Sequence, residues 1–379
     1  MRVLITGGAG FIGSTTALQL LERGHQVTVL DNFLEQIHGA SPDQSYLWQR
    51  IADRVTLCKA DIRDEAAVHA AVAETDAVLH LAAETGTGQS MYAIKRYVDV
   101  NVGGTAVLLE AIQARRTPLS SLIVASSRSV YGEGAYRCPT HGIVYPGARN
   151  EADLEMGRFD PACPVCGGAL AAAATSETAP LVPASVYATT KLAQENMCLN
   201  IGAASGIQMF AFRYQNVYGA GQSLHNPYTG ILSIFSREML AGRPIEIFED
   251  GLESRDFVHV DDVARANVLA IESSVGGQHI VNVGTGRAIS VADVARTLAE
   301  AYGYTGKISV SGRYRAGDIR HNFSDNHQLG ALLDFAPSIG FQEGIRSFCA
   351  WVPSALPADS GSDYRKSLEE LEERGLMRG

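Results

Sequence analysis

A chain of 379 residues, 46% hydrophobic and 19% charged, has the length and composition to bury a substantial core. It is excluded both as a disordered polymer and as a membrane-spanning bundle, since no segment approaches the roughly 20 consecutive apolar residues needed to cross a bilayer. A formal charge of -10 at pH 7 leaves no basic footprint for nucleic acid, so any phosphate has to be held by local donors. Six cysteines with no recognisable export signal point to a reducing, cytoplasmic setting. There Cys58, Cys198 and Cys349 read as isolated thiols, and only Cys138, Cys163 and Cys166 group together.

The chain opens on the apolar run "RVLIT", a glycine turn, the helically spaced "FIGSTTALQLLERG" and a second apolar run "HQVTVLD", which is a β-α-β unit. Gly7, Gly10 and Gly13 fall at G-x-x-G-x-x-G spacing, with Phe11 and Ile12 between the last two. Glycine permits the tight turn and close backbone approach, while the free N-H groups and positive end of the following helix suit a pyrophosphate. Asp31, eighteen positions beyond Gly13, is placed to accept hydrogen bonds from an adenosine ribose and would repel a 2'-phosphate, which favours NAD over NADP.

The alternation continues through "VTLCKADIRD", "AAVHAAVAET", "AVLHLAA", "NVGGTAVLLEAIQAR" and "SLIVASS", and implies a parallel sheet covered on both faces. Two polar residues in this stretch have two readings each. Asp61 either reaches the adenine, with Ile62 packed beside it, or caps the helix that follows. Asn101 is either a group of the catalytic site or a helix cap.

Between Gly134 and Thr178 the rhythm breaks, and Gly, Pro, Cys and an alanine run replace any period. Cys138-x2-His141 and Cys163-x2-Cys166 form two C-P-x-[CH]-G knuckles, the pattern of a structural Cys3His zinc site with every position filled by protein. Such a zinc is expected to staple the insertion as a flap near the substrate mouth, because a loop of this length is costly to order beside a reaction site.

Helical spacing resumes with "SVYATTKLAQENMCLNIGAASG", where Tyr187 and Lys191 lie four apart and therefore on one face. A neighbouring ammonium and a cationic nicotinamide would lower the phenol pKa and let tyrosinate act as a base, beside Ser126 and Ser127 at the end of the preceding strand. The strand "IQMFAFRYQNVYG" follows, then shorter elements, and the tail "DYRKSLEELEERGLMRG" reads as an exposed helix of alternating charge.

Taken together, "TGGAGFIG", Asp31, "HLAA", Ser127 four before Tyr131 of "VYG", "YATTK", "RYQNVYG" and "SRDFVHVDDVA" resemble the extended short-chain dehydrogenase/reductase family that acts on nucleotide sugars. The resemblance covers nearly the whole chain apart from the insertion and the tail. It implies a Rossmann-like α/β fold, doubly wound around a parallel sheet, with a smaller C-terminal substrate lobe to which the zinc-knuckle insertion is added. The expected units are 1–135 (NAD-binding core), 136–177 (insertion), 178–220 (catalytic helix and strand), 221–355 (substrate lobe with a segment returning to the core) and 356–379 (tail).

By the same resemblance Tyr187 is the base, Lys191 holds the nicotinamide ribose, and Ser127 bonds the reacting sugar oxygen. Asn32, Leu81, Ala82 and Ala83 join the cofactor site, while Thr85, Asn216, Arg255 and Arg315 grip the substrate, the two arginines at its diphosphate. Dehydratases and decarboxylases of the family carry an acidic residue three or two positions before the Tyr of "VYG", and here those positions are Arg128 and Ser129. Neither is a useful acid at working pH, which favours 4-epimerisation. The segments "AAETGTGQSMY" and "HNPYTGILSIF" are similar to a subgroup acting on dTDP-6-deoxy-hexoses such as dTDP-L-rhamnose, ranked above UDP-glucose and UDP-galactose. A 4-ketoreductase and a non-catalytic NAD-responsive regulator are the alternatives, and a homodimer is expected from the resemblance.

Overall fold

The computed structural model describes residues 1–224, 230–315, 317–356 and 377–378. The expected tail helix and the "HNPYT" segment lie outside the described residues, except that Met377–Arg378 pairs antiparallel to Tyr314–Arg315.

Seven strands build the central sheet: β1 (Arg2–Thr6), β2 (Gln26–Asp31), β3 (Thr56–Lys59), β4 (Ala77–His80), β5 (Ser121–Ser127), β6 (Gln208–Tyr214) and β7 (Gln278–Val283). Every pairing is parallel and the spatial order is β7-β6-β5-β4-β1-β2-β3, so the chain reverses direction of travel at β1. Ligands of such sheets bind beyond the carboxyl ends of the strands at that switch point.

Alternation explains the burial. On β1, Val3 and Ile5 pack with Ala17, Leu20, Val263 and Ala266 on one face, while Leu4 packs with Val68, Leu108 and Cys198 on the other. The strands therefore read as continuous apolar runs, because helices Phe11–Glu22 and Val260–Glu272 cover one face and Glu65–Ala73, Gly104–Gln113 and Val186–Ser205 the other.

Two expectations need correction. "IQMFAFRYQNVYG" is two strands: β6 ends at Tyr214, and after Gln215 the chain changes partner, so that Asn216–Tyr218 pairs with Phe257–His259 in the C-terminal lobe. The helix expected at "NVGGT" opens one turn earlier as a π-helical stretch, Val98–Gly103, with Asn101 buried inside it.

The lobe packs helices Ile231–Leu240, Val291–Tyr302 and Phe341–Ala355 around Phe235, Ile245, Phe257, Leu298 and Phe348. The insertion folds as a small antiparallel sheet, Tyr136–Cys138 between Gly142–Val144 and Ala171–Ala172, with the short helix Glu151–Glu155. It is sewn to the lobe by backbone hydrogen bonds. Thr175 N donates to Phe323 O at 2.8 Å, Asp325 N to Thr175 O at 3.0 Å and Gly134 N to His321 O at 3.1 Å.

Candidate active site

A cavity of about 440 Å³ runs along the carboxyl ends of β1 to β6. Its floor is the glycine turn. Gly7 has φ +69°, and a Cβ there would meet Ala82 N at 2.9 Å, while one on Gly13 would lie 2.5 Å from Gly7 O. These close approaches fix glycine at both positions and leave the first turn of the Phe11–Glu22 helix open to the cavity, its leading N-H groups without intrahelical partners.

Gly7, Gly10, Phe11, Ile12, Gly13, Asp31, Asn32, Ile62, Leu81, Ala82, Ala83, Thr85, Ser127, Tyr187 and Lys191 all line this cavity. Asp31 Oδ2 accepts Ala9 N at 3.0 Å and Oδ1 accepts Phe33 N at 2.9 Å, which aims the carboxylate at the end of β2. Asp61 stands behind that wall, accepting Asn32 Nδ2 at 3.0 Å and Arg63 Nε at 2.7 Å, and Arg63 holds its carboxyl down at about 2. The helix cap is Asp64, which accepts Ala67 N at 3.1 Å. Asn101 also stands one layer back. Its Oδ1 accepts Glu84 N at 2.7 Å and its Nδ2 donates to Thr190 Oγ1 at 2.9 Å, tying the loop after β4 to the Val186–Ser205 helix.

That helix is set by its cap: Ser185 Oγ accepts Ala188 N at 3.1 Å, and Gly206 ends it in the left-handed conformation at φ +64°. Tyr187 and Lys191 are thereby presented to Ser127, the last residue of β5, which pairs with Tyr214 of β6. Lys191 is 3% exposed, and its Nζ donates to Ala125 O at 2.9 Å and Gln194 Oε1 at 3.0 Å.

Burial pulls the Lys191 ammonium down to about 8. Burial likewise pushes the Tyr187 phenol up, and the Ser127 hydroxyl and the Arg128 guanidinium pull it partly back. Desolvation outweighs both, so the phenol stays above its ordinary value. Behind β5, Glu195 accepts Ser126 Oγ at 2.5 Å and Arg213 Nη2 at 2.6 Å, and Arg213 also donates to Tyr131 Oη at 3.0 Å. This buried network buttresses the strand that carries Ser127.

Asn216, Arg255 and Arg315 are not among the residues lining the cavity. Asn216 Oδ1 accepts Arg128 Nε at 2.9 Å, Arg255 donates to the carbonyls of Ser254, Ile319 and Arg320, and Arg315 lies 5.1 Å over the Phe248 ring. Sequence reasoning missed His38, Tyr214, Gln215 and Gln222, which do line the cavity. Tyr214 and Gln215 lie within the quoted "RYQNVYG" at the end of β6, whereas His38, at the end of the short helix Glu35–His38, and Gln222 carry no local motif and reach the cavity only through tertiary packing.

In the insertion, Cys138, His141, Cys163 and Cys166 bring four ligand atoms within 4.8 Å of one another. Cys138 Sγ is 3.8 Å from Cys166 Sγ and 3.5 Å from His141 Nδ1, and Cys163 Sγ is 3.7 Å from His141 Nδ1. A tetrahedron with Zn–S of about 2.3 Å and Zn–N of about 2.05 Å has S···S edges of about 3.8 Å and S···N edges of about 3.6 Å. Amide N-H groups in the knuckle turns, chiefly those of Thr140 and Cys166, hold the Cys138 and Cys163 thiols below their ordinary range.

A doubly wound sheet with a dinucleotide turn and a Ser/Tyr/Lys set at its switch point defines a nicotinamide-dependent enzyme of the short-chain dehydrogenase type. The chain belongs to the NAD dependent epimerase/dehydratase family, whose model matches residues 3–149 and 164–284. It is 38% identical, over 94% of its own length and 96% of the relative's, to a dTDP-L-rhamnose 4-epimerase of Burkholderia thailandensis. Among solved structures it is similar to the UDP-glucose 4-epimerase of Thermus thermophilus in complex with NAD (31% identity, TM-score 0.72, covering 94% of this chain and 100% of that one). It is also similar to the UDP-glucose 4-epimerase of Thermotoga maritima with UDP-glucose (28% identity, TM-score 0.74, the same coverage). Its activity is the NAD-dependent 4-epimerisation of a nucleotide sugar by oxidation and reduction at C4. Among the described residues, no helix is long and apolar enough to cross a membrane.

Proposed function

We propose that the substrate is a dTDP-6-deoxy-hexose such as dTDP-L-rhamnose, and that Tyr187 is the base. The observation that carries the base is the convergence of Tyr187, Ser127 and Lys191 on one end of the cavity, with Arg128 and Ser129 where an eliminating or decarboxylating enzyme needs an acid. The sugar assignment is supported by likeness to the Burkholderia relative.

The cavity fits NAD: the glycine turn approaches the loop after β4 too closely for any side chain, and the Asp31 carboxylate lines the cavity at the end of β2 as an acceptor for ribose hydroxyls. When bound, NAD supplies the acceptor for the C4 hydride and its later donor. The phenolate of Tyr187 removes the proton of the C4 hydroxyl while the Ser127 hydroxyl hydrogen-bonds the same oxygen. Lys191 orients the nicotinamide ribose. The bound 4-keto sugar then presents its other face, and Tyr187 returns the proton. Arg255, with Arg315, Asn216 and Thr85, holds the nucleotide sugar.

Incubation with NAD and a panel of nucleotide sugars, followed by proton NMR of the C4 configuration, tests this. Interconversion of dTDP-L-rhamnose with its C4 epimer, without net NADH, is expected. Faster turnover of UDP-galactose overturns the sugar assignment, and stoichiometric consumption of NADPH favours the ketoreductase.

The Cys3His cluster is a structural zinc site in this reading, supported by ligand spacings that match a tetrahedron. One equivalent of zinc by elemental analysis, lost in a Cys163→Ser variant, is the expected result. A homodimer, the reading the resemblance favours, is checked by light scattering, and the unit boundaries at 135/136, 177/178 and 220/221 by limited proteolysis.

A further inference from the structure

Glu133 stands three residues before Tyr136, which opens the strand ending at Cys138, and the residue is only 8% exposed. Its Oε1 accepts Tyr136 Oη at 2.7 Å and His321 N at 2.9 Å, while its Oε2 accepts Arg320 N at 2.8 Å. Among the described residues it forms no ion pair, so its charge is met by a phenol and two backbone amides. The approach is close: a Cβ on Gly134 would lie 2.6 Å from His321 O. Arg255 reaches the same backbone from the strand Ser254–Arg255, which pairs parallel with His321–Asn322. Its Nη1 donates to Arg320 O at 3.0 Å and its Nη2 to Ile319 O at 2.8 Å.

These donors and acceptors belong to the same two peptide groups. In each of the peptides 319–320 and 320–321 the N-H is bonded to Glu133 and the C=O to Arg255, so carboxylate and guanidinium form an ion pair relayed through backbone. Hydrogen bonds in such a chain polarise one another, and each terminal bond is charge-assisted. A direct salt bridge would neutralise the guanidinium, whereas the relay fixes its plane and leaves it without a carboxylate partner among the described residues. Three of its five N-H groups are engaged, counting Nη1 to Ser254 O at 2.8 Å, which leaves the Nε-H and one Nη2-H for two phosphate oxygens.

We propose that Glu133 is a positioning residue for substrate binding: through these two peptide groups it sets the orientation in which Arg255 meets the diphosphate of the nucleotide sugar. This rests on the reading of Arg255 as a substrate group. Glu133 touches neither substrate nor cofactor in this role, so its contribution belongs to nucleotide-sugar affinity and not to the chemical step. Tyr136 holds the same carboxylate from the strand that ends at Cys138, and the first strand of the insertion thereby shares in the support of Arg255.

The test is a double-mutant cycle on the NAD-loaded enzyme, with the Kd of dTDP and of UDP measured by calorimetry for wild type, Glu133→Gln, Arg255→Met and the double variant. Arg255→Met is expected to raise the Kd of the tighter-binding diphosphate about 10- to 100-fold. Glu133→Gln keeps the side-chain volume but turns an N-H toward a peptide N-H. It should raise that Kd about three- to tenfold and the KM of the nucleotide sugar with it, while kcat and the NAD Kd stay within about twofold. In the Arg255→Met background the same change should add nothing. Should the glutamine variant fail to bind NAD, Glu133→Asp, which shortens the reach of the carboxylate, takes its place in the cycle. An unchanged Kd for both dTDP and UDP in the Glu133 variant overturns the proposal, as does an effect that persists in full without Arg255. If Arg255→Met leaves both Kd values unchanged, the reading of Arg255 as a substrate group fails and the proposal with it.

Discussion

The cavity at the sheet edge and the insertion beside it are ordered by opposite means. The cavity rests on two apolar layers, and its walls are backbone at such close quarters that Gly7 and Gly13 admit no side chain. The insertion has two small buried apolar clusters, Tyr136, Cys138, Val144 and Cys163 in one and Leu154 and Phe159 with Tyr314 in the other, too little to order some forty residues. Charge holds it in addition, as would the proposed zinc at its four Cys and His side chains. Arg149 forms a bidentate pair with Glu249 at 2.7 and 2.9 Å, with side chains 4% and 5% exposed. Arg320 joins Glu249, Asp250 and Asp160, and Glu133 accepts Arg320 N at 2.8 Å and His321 N at 2.9 Å. The Arg320 and Ile319 carbonyls receive Arg255, so the insertion props the backbone on which Arg255 rests. A hydrophobic scaffold tolerates loss of a ligand, whereas a polar one concentrates its stability in a few pairs.

Four changes break or sharpen this contrast. Tyr187→Phe acts on the cavity without touching the scaffold: kcat is expected to fall roughly 100- to 10,000-fold with NAD still bound, read by NMR turnover and NAD titration. Arg149→Met leaves Glu249 buried beside one fewer cation, and should cost about 3–5 kcal/mol in urea denaturation, with the insertion becoming protease-sensitive first. Gly13→Ala forces a Cβ to within 2.5 Å of Gly7 O, and about 1–3 kcal/mol of stability should go together with a weaker NAD Kd. Chelation of the proposed zinc should abolish hydrogen-exchange protection in residues 136–172 while strands β1 to β6 keep theirs.

Stability also depends on pH through one buried group in the main sheet and one in the C-terminal lobe. His80, buried between Thr6 and Thr105, is pushed down to about 3 from 6.5, so the unfolded chain binds the extra proton between these values. Stability is lost as pH falls through that window, by at most about 1.4 kcal/mol per unit. Glu253 is held up at about 7 from 4.5 by burial, so the folded chain binds its proton and stability rises as pH falls from 7 to 4.5. The two offset each other down to about 4.5, below which stability should drop. In Glu253→Gln the decline should begin near 6.5, as followed by urea midpoints.

Much was legible in the sequence because it is local. Period 2 and period 3.6 report which face of a strand or helix is buried, the glycine spacing reports backbone that must pass close to backbone, and the two C-P-x-[CH]-G knuckles report their own turns. What local pattern could not report was partner choice. That the run at 207–219 leaves the main sheet at Gln215 depends on Phe257–His259 being available, some forty residues on. That Asp61 salt-bridges Arg63 behind the cavity wall, and that Asn101 ties the β4 loop to the catalytic helix, depends on which groups are desolvated together.

The sequence by itself determined the parallel sheet, the dinucleotide turn, the Tyr187 and Lys191 face and the four clustered ligands, since each follows from spacing along one element. Only the tertiary structure decided that the insertion is tied into the C-terminal lobe, and that Arg128 bonds Asn216 across the ends of β5 and β6. Those outcomes rest on contacts such as Arg149 with Glu249 and Arg128 with Asn216, between residues about a hundred positions apart, whose meeting is set by strand register and not by any periodicity.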